Sequence, residues 1–495
     1  RRPGALDTPS RSAMHRAHLR RTLLARAAPP GDRCRVLHYP PGVTSLFPGP
    51  RGLFGLRNLA RFVRDQLGFL REMTDAHGDV VELRMLGRPW ILLNHPDDIE
   101  QVLVREHAKL ARDDYADILK RALGEGLLTS DGALWKKQRR LAARAFTPKR
   151  IRGYGDRMVD VTAQSVARWR DGDAIDLHAE MSRVTMEVVA DALFGVGVGP
   201  SDVDTVRGSM EEINAFFANS PEALLRLPPS VPTPRNRRMN AAIAAIDALL
   251  FRIIEERRRD PEERDDLLGA LLAARDDDGS AMDDAQLRDE CITLFLAGHE
   301  TTALALAHTF FLLSRHPAVA RRMQAEIDGV LGERLPRSDD AKALPYTRQV
   351  IEEAMRLYPP AWITGRAVAE PFELRGRTLP AGAQLVVSQW IVHRDPRWFE
   401  DPEGFDPDRF APERAKDRPR FAYFPFGGGP RVCIGNHFAM LEAILLTATI
   451  AQRFRLDLLP GERLEFDPSV TLRPKRHVRA RLVARRSAAL PEAAE

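Results

Sequence analysis

Cys433 is the side chain whose surroundings most clearly ask for chemistry. It ends the stretch Phe426-Gly427-Gly428-Gly429-Pro430-Arg431-Val432-Cys433 and is followed by Ile434 and Gly435. Three consecutive glycines can visit φ > 0 and leave backbone N–H groups free. Pro430 stiffens the approach to the cysteine. From Ile434 the pattern turns helical, with Phe438, Leu441, Ile444, Leu445 and Thr449 on helical spacing. A thiolate at this junction is expected to gain from the helix N-terminus and from loop amides aimed at it. Gly435 lets a large flat group approach the first helical turn. These are the requirements of an anionic sulfur ligating iron. Elsewhere a free cysteine is usually just a small buried hydrophobe.

Three other groupings carry chemistry. Ala297-Gly298-His299-Glu300-Thr301-Thr302 interrupts residues 283–315, the longest helical pattern. That pattern is apolar on nearly every face, so its helix is expected to be buried. A glycine and a carboxylate inside it cost stability and ask for a purpose. His299-Glu300 does not begin a zinc His-Glu-x-x-His site, because position 303 is Ala. Thr301 is expected to hydrogen-bond the carbonyl of Ala297, four residues back, and to bend the helix. Trp135 and Arg139 share a helical face and together suit one carboxylate, through indole N–H and guanidinium. Glu353 and Arg356 also share a face; alone, such a pair is usually a weak surface ion pair.

In their order along the chain, from about residue 36 to 485, these motifs resemble those of the cytochrome P450 superfamily. The cysteine stretch is similar to its Phe-x-x-Gly-x-x-x-Cys-x-Gly haem loop, with Phe426, Gly429, Arg431, Cys433 and Gly435 at the shared positions. Ala297 to Thr301 resembles its oxygen-activation motif, and Trp135 with Arg139 its haem-propionate contact. Glu353, Arg356 and Arg409 of Pro407-Asp408-Arg409-Phe410 resemble its buried Glu-Arg-Arg triad. The family more often has Glu where Asp408 stands, which leaves Arg409 untouched. The resemblance implies haem b with Cys433 as axial ligand, its electron donation favouring O–O cleavage. It implies propionates held by Trp135, Arg139, Arg366 and Arg431, since Arg suits carboxylates better than Lys. Phe426 and Gly435 would pack beside the haem, and Ala297 would lie against it. Thr301 would hydrogen-bond O2. Glu300, diverging from Thr301 on the helix, would relay protons from water.

The elements that must position these residues are legible in outline. Residues 56–76 read as one amphipathic helix, with Leu59, Phe62, Val63, Leu67 and Leu70 on one face. Tyr39-Pro40-Pro41-Gly42 is a turn-rich approach to it. Residues 80–86 and 90–93 flank Gly87-Arg88-Pro89 as a hairpin, and a helix starts near Pro96. Residues 107–131 lack clean periodicity and read as a loop lining a site. Residues 205–260 are helical around a proline-rich break at 228–234, which the resemblance makes the lid of a substrate channel. Arg257-Arg258-Arg259 reads as a solvated helix end, and Asp276-Asp277-Asp278-Gly279 as an acidic turn. Short strands are expected around Gly376 and Gly382, irregular coil over 394–425, and strand-like pieces after 455. Ser469-Val470-Thr471-Leu472 would be a loop into the pocket. The implied fold is α+β, mainly α: a single-domain haem-thiolate monooxygenase fold with a long central helix and small β-sheets.

Composition narrows the class. A hydrophobic content of 44% over 495 residues suits a globular protein. Cys34, Cys291 and Cys433 form no paired spacing, which points to a reducing compartment without a disulfide framework. Residues 1–35 hold nine Arg and two Asp, a net +7. The whole chain is +5, so the rest is −2, which argues against a nucleic-acid-binding core. Residues 1–35 read as a basic disordered arm, and 36–495 as the monooxygenase domain. No run of 18 apolar residues exists, so no transmembrane anchor is expected, and the expected location is cytoplasmic.

The resulting expectation is a haem-dependent monooxygenase that inserts one atom of O2 into a lipophilic substrate, by hydroxylation or epoxidation. The tentative pocket residues are Leu294, Phe295, Ala361, Trp362, Ile363 and Val470 with parts of 107–131. Their apolar character suits a fatty acid, terpenoid, steroid or polyketide. NAD(P)H electrons would arrive indirectly, from a ferredoxin or flavodoxin with its reductase. Only 62 residues follow Cys433 (495 minus 433), too few for a flavin or iron–sulfur domain. Arg140, Arg144, Lys149, Arg418 and Arg420 would form the basic docking face. Two rivals are a peroxide-driven haem-thiolate hydroxylase or isomerase, and a haem-binding sensor. The Glu300–Thr301 pair speaks against both.

Overall fold

The longest helix, Asp284–Arg315, sets the frame. Asp283 caps it by accepting the backbone N–H of Gln286, a common N-terminal device. Nearly every residue from Leu287 to Leu313 is buried, as its all-round apolar pattern requires. It runs unbroken through Ala297 to Thr302, so the interruption there is one of polarity and not of helix. Against this central helix pack Leu177–Phe194, Pro234–Arg259, Pro345–Leu357 and Asn436–Arg453. The last of these follows the cysteine. This computed structural model describes residues 45–50, 55–85, 88–195, 200–217, 227–259 and 265–485. The basic arm 1–35, Cys34, Tyr39-Pro40-Pro41-Gly42, Gly87 and residues 218–226 lie outside the described residues.

Twelve short strands are described: β1 (Val80–Met85), β2 (Arg88–Leu93), β3 (Leu110–Ala111), β4 (Ala174–Asp176), β5 (Thr364–Val368), β6 (Phe372–Leu374), β7 (Arg377–Leu379), β8 (Gln384–Val387), β9 (Phe454–Leu458), β10 (Phe466–Pro468), β11 (Leu472–Pro474) and β12 (Arg479–Ala484). The main sheet has the order β1-β2-β8-β5-β3. β1 and β2 form the expected antiparallel pair, from Val80 opposite Leu93 to Met85 opposite Arg88. β2 then pairs in parallel with β8, Trp90 opposite Gln384, tying distant segments into one layer. β4-β12-β9 form a second sheet, and β6-β7 and β10-β11 are two-stranded. The fold is thus mainly helical with small sheets.

Three local expectations need correction. Residues 56–76 are two helices, Leu56–Arg64 and Gln66–His77, because Asp65 turns extended and caps the second by accepting from Gly68 N–H at 2.9 Å. The stretch 107–131 is not all loop. Asp113 caps a helix over Asp114–Leu123 that ends at Gly124. Arg257 is no solvated end: it is buried, bonding both carboxylate oxygens of Asp266 (2.9 and 2.8 Å) and the carbonyl of Phe194 (2.7 Å).

Candidate active site

The cysteine loop is built by close approach. Gly427 and Gly429 adopt φ of +73° and +67°, whereas Gly428 is extended. A Cβ on Gly429 would lie 1.8 Å from the carbonyl oxygen of Leu103, so no side chain fits there. Cys433 N–H closes the loop on the Phe426 carbonyl at 3.0 Å. A Cβ on Gly435 would meet only the Phe146 ring, at 3.6 Å; the protein itself leaves room at this first turn. The Cys433 side chain is solvent-accessible, yet protein crowds it on most sides. Burial pushes its thiol pKa up, while the Gly435 N–H and Arg139 act in the opposite direction without reversing the shift. A cation at the sulfur would favour the thiolate.

A cluster of guanidinium groups lies beside the loop. Arg112, Arg366 and Arg431 are close enough for their charges to interact, with Asp113 and Asp131 between them. Burial lowers the pKa of all three, Arg431 to about 10. Arg431 donates to the Ser130 carbonyl (3.1 Å) and pairs with Asp131, and it lies 4.3 Å over the Trp135 ring. Arg366 donates to the neighbouring Gly365 carbonyl. The Nε of Arg112 is buried without a hydrogen-bond partner. Three cations thus share two carboxylates. Arg139, expected beside Trp135 at a propionate, is half-buried and within electrostatic range of Cys433. Sequence reasoning does not reach Arg112, because no motif surrounds it and only folding sets it beside Arg366 and Arg431.

On the central helix, Leu294, Ala297 and Thr301 follow three-and-four spacing and share a face. Ala297 is exposed, and Leu294 and Thr301 are half-buried, among buried neighbours. Thr301 Oγ1 donates to the Ala297 carbonyl at 2.7 Å. Ala361, Ile363, Val470 and Phe426 are half-buried. Two of the expected pocket residues are fully packed. Phe295 is buried and stacks on Phe194; two residues before Ala297, it faces the other way. Trp362 is buried and donates its indole N–H to the Ser469 carbonyl at 3.1 Å. Leu128 is exposed between buried Leu127 and Thr129. A separate cleft of about 610 Å³ at the C-terminal end of the central helix, near Phe311, Tyr358 and Phe405, contains none of these side chains. Size alone does not mark the site.

Glu300 turns to a different side. Its buried carboxylate accepts from Arg473 Nε at 2.6 Å and lies 3.6 Å from His178 Nε2 and 3.8 Å from His299 Nε2. Burial alone would raise its pKa, but His178, Arg473 and His299 hold it down at about 2. The triad is fully enclosed. Glu353 takes Arg356 at 2.6 and 2.8 Å and Arg409 at 3.2 Å. Arg356 also donates to the carbonyls of His393, Pro402 and Gly404. Asp408 pairs outward with Arg322. The basic face is smaller than expected: Arg140 is tied to Asp276, and Arg418 packs over Phe399 and Phe410.

One accessible thiol, a first turn with room beside it and under-neutralised guanidinium groups suit a flat macrocycle carrying a central metal and two carboxylates. These are the features of a haem-thiolate protein. The chain belongs to the cytochrome P450 family, whose model matches residues 47–478. It is 41% identical over 429 residues to cyclooctatin synthase of Streptomyces melanosporofaciens, covering 86% of this chain and 92% of that protein. It is 37% identical to cyclooctat-9-en-7-ol 5-monooxygenase of the same organism, with the same coverage. It is 36% identical to pentalenene oxygenase of Streptomyces avermitilis, covering 86% of this chain and 94% of that protein. The solved structure of retinoic acid bound cyanobacterial CYP120A1 superposes with a TM-score of 0.78 at 29% identity, covering 89% of this chain and 99% of that one. The protein is a haem monooxygenase acting with O2 on a lipophilic substrate. Among the described residues no helix is long and apolar enough to cross a membrane.

Proposed function

We propose that this enzyme hydroxylates a polycyclic terpenoid of the size and polarity of pentalenene or cyclooctat-9-en-7-ol, with Cys433 as the haem ligand. The observation that carries the haem assignment is the guanidinium cluster beside the cysteine loop, three crowded, half-buried cations set against two carboxylates. Arg112, Arg366 and Arg431 would hold the propionates, with Trp135 stacked on Arg431 and Arg139 facing the sulfur. Phe426 and Gly435 would pack beside the ring. Bound haem supplies the oxidising chemistry. The chain orients it: Leu294 and Ala297 shape an apolar face, Thr301 Oγ1 holds a proton on that face, and Glu300 passes protons to it. Glu353, Arg356 and Arg409 are structural.

The electrons derive from NAD(P)H and arrive through a ferredoxin or flavodoxin with its reductase. Arg144 and Lys149 are exposed on either side of Phe146, which packs against Phe438 of the cysteine helix; Arg420 is exposed too. These residues suit an acidic partner. The setting is cytoplasmic, residues 36–495 are the catalytic domain, and 1–35 are dispensable for catalysis. The test titrates pentalenene and cyclooctat-9-en-7-ol into the ferric protein, then adds NADPH, ferredoxin and reductase. A Soret shift and a product heavier by one oxygen are expected. Neither shift nor product with either compound would overturn the terpenoid reading. Product from hydrogen peroxide alone, with none from the electron chain, would make the enzyme peroxide-driven. Cys433→Ser is expected to abolish the red-shifted ferrous–CO band; its survival would refute the ligand.

A further inference from the structure

On the reading given above, Glu300 must draw protons from water, yet it is 4% exposed. Four groups of the described structure surround its carboxylate, and three are poor carriers. Arg473 contacts Oε1 at 2.6 Å, but a guanidinium does not give up its proton. His299 Nε2 is 3.8 Å from Oε2, but its ring is enclosed and lies 3.2 Å from Ser182 Oγ. Burial pulls its pKa down to about 4. Thr471 Oγ1 lies 3.5 Å from Oε1 and is itself buried. His308, just over two turns further along, is buried against the Tyr358 carbonyl.

His178 is different. Its Nε2 is buried, has no hydrogen-bond partner and lies 3.6 Å from Glu300 Oε1. That is longer than a hydrogen bond and within ion-pair range. Yet 23% of the His178 side chain reaches solvent. One ring therefore has a nitrogen turned to the buried carboxylate and an edge in water. The first turn of Leu177–Phe194 holds it there. Asp176 caps that turn by accepting from Ala179 N–H at 2.7 Å, and also accepts from Val478 N–H at 3.1 Å.

We propose that His178 is the inlet through which solvent protons reach Glu300. The N–H bond at His178 Nε2 breaks and an O–H bond forms at Glu300 Oε1. As that proton leaves, water gives one to Nδ1, so the imidazole stays neutral throughout, and rotation of the ring about χ2 then returns an N–H to the carboxylate. Glu300 then passes its proton towards Thr301, and Arg473 draws the carboxylate back to its ionised state. Two such transfers accompany two electrons from the reduced ferredoxin- or flavodoxin-type partner, so that O2, two protons, two electrons and R–H give R–OH and H2O. The charged and titratable groups around His178 are Glu300, His299 and His308 on the central helix, with Arg473 of β11 on the far side of the same carboxylate. His178 acts through Glu300 and is a positioning and proton-supplying residue.

The test uses holoenzyme with saturating ferredoxin, reductase and NADPH. It reads O2 uptake, peroxide release and the solvent deuterium isotope effect for His178→Gln, Glu300→Gln and the double variant. Gln keeps a hydrogen-bonding group beside Glu300 but cannot carry a proton. His178→Gln is expected to keep haem content and the ferrous–CO band, to slow O2 uptake on the order of tenfold, and to raise the isotope effect. The double variant is expected to be no slower than Glu300→Gln. A wild-type rate and isotope effect in His178→Gln, or losses that add in the double variant, would overturn the inlet while leaving Glu300 in its role. A wild-type rate in Glu300→Gln would instead remove the Glu300 reading, and the inlet with it. If His178→Gln binds haem poorly, His178→Asn is judged on the same readouts; poor haem binding in both makes His178 structural and refutes the proposal.

Discussion

Two arginine clusters in this protein carry the same group under opposite conditions. Around Glu353, the guanidinium groups of Arg356 and Arg409 meet a carboxylate and a ring of backbone carbonyls. Around Asp131, Arg112, Arg366 and Arg431 are crowded and desolvated, with too few acceptors. A buried ion pair is tolerable only when its remaining donors are satisfied. The first cluster meets that condition within the polypeptide and is finished on folding. The second does not, and a partner bringing carboxylates would complete it. The contrast separates residues that hold the fold from residues that hold a ligand.

The sharpest break of this contrast is Glu353→Ala. It strands two buried cations and is expected to cost roughly 3–5 kcal/mol, seen as a lower urea midpoint at unchanged slope. A midpoint equal to wild type would show that the triad is not the structural cluster. Arg366→Leu should behave in the opposite manner. The haem-free protein is expected to melt at the same or a higher temperature, while transfer of haem to apomyoglobin speeds up about tenfold, or about 1.4 kcal/mol. A large loss of stability in the haem-free protein would merge the two clusters into one class.

A third kind of buried charge sharpens the rule. Glu442, on the cysteine helix, accepts from Thr302 Oγ1 at 3.2 Å, and its other oxygen has no partner. Burial pushes its pKa up from 4.5 to about 8, and Glu290 shifts likewise to about 8. Each group binds its proton more tightly folded than unfolded. The unfolded chain loses these protons first, so their contribution to stability falls as pH rises from about 4.5 to about 8 and then levels. Glu442→Gln is expected to flatten that decline, measured as urea midpoints across the window. An unchanged decline would mean that Glu442 is already ionised. The smallest effect on stability belongs to the exposed arginine and lysine. Arg144→Glu with Lys149→Glu should leave stability within about 0.5 kcal/mol while slowing reduction by ferredoxin and weakening its salt dependence. Reduction at the wild-type rate would move the docking face elsewhere.

Features encoded by neighbours in sequence were legible before the fold. The Thr301-to-Ala297 hydrogen bond, the Glu353–Arg356 face and the tight glycine loop each depend on residues within a few positions. What required the structure depends on distant segments. Arg112 meets Arg431, and His178 and Arg473 meet Glu300, only after packing. Apolar identity does not state which way a side chain such as Phe295 or Trp362 faces; helical spacing puts Phe295 on the side of the helix away from Ala297. Asp65 split a helix because its carboxylate prefers a cap to a continuous turn, a local signal that hydrophobic periodicity hides.

The fit of Gly429 against the Leu103 carbonyl has a consequence in time. During synthesis the two residues emerge 326 positions apart (429 minus 103), which at ribosomal speeds is roughly 16–65 s. For most of that interval β2 also lacks β8 (Gln384–Val387), so its sheet waits with an open edge for strands and a loop still to be made. The surface against which the cysteine loop rests is thus translated long before it is used. Contacts of such long separation form slowly, and a group that must be gripped by the cysteine loop cannot be held until these two distant segments have met.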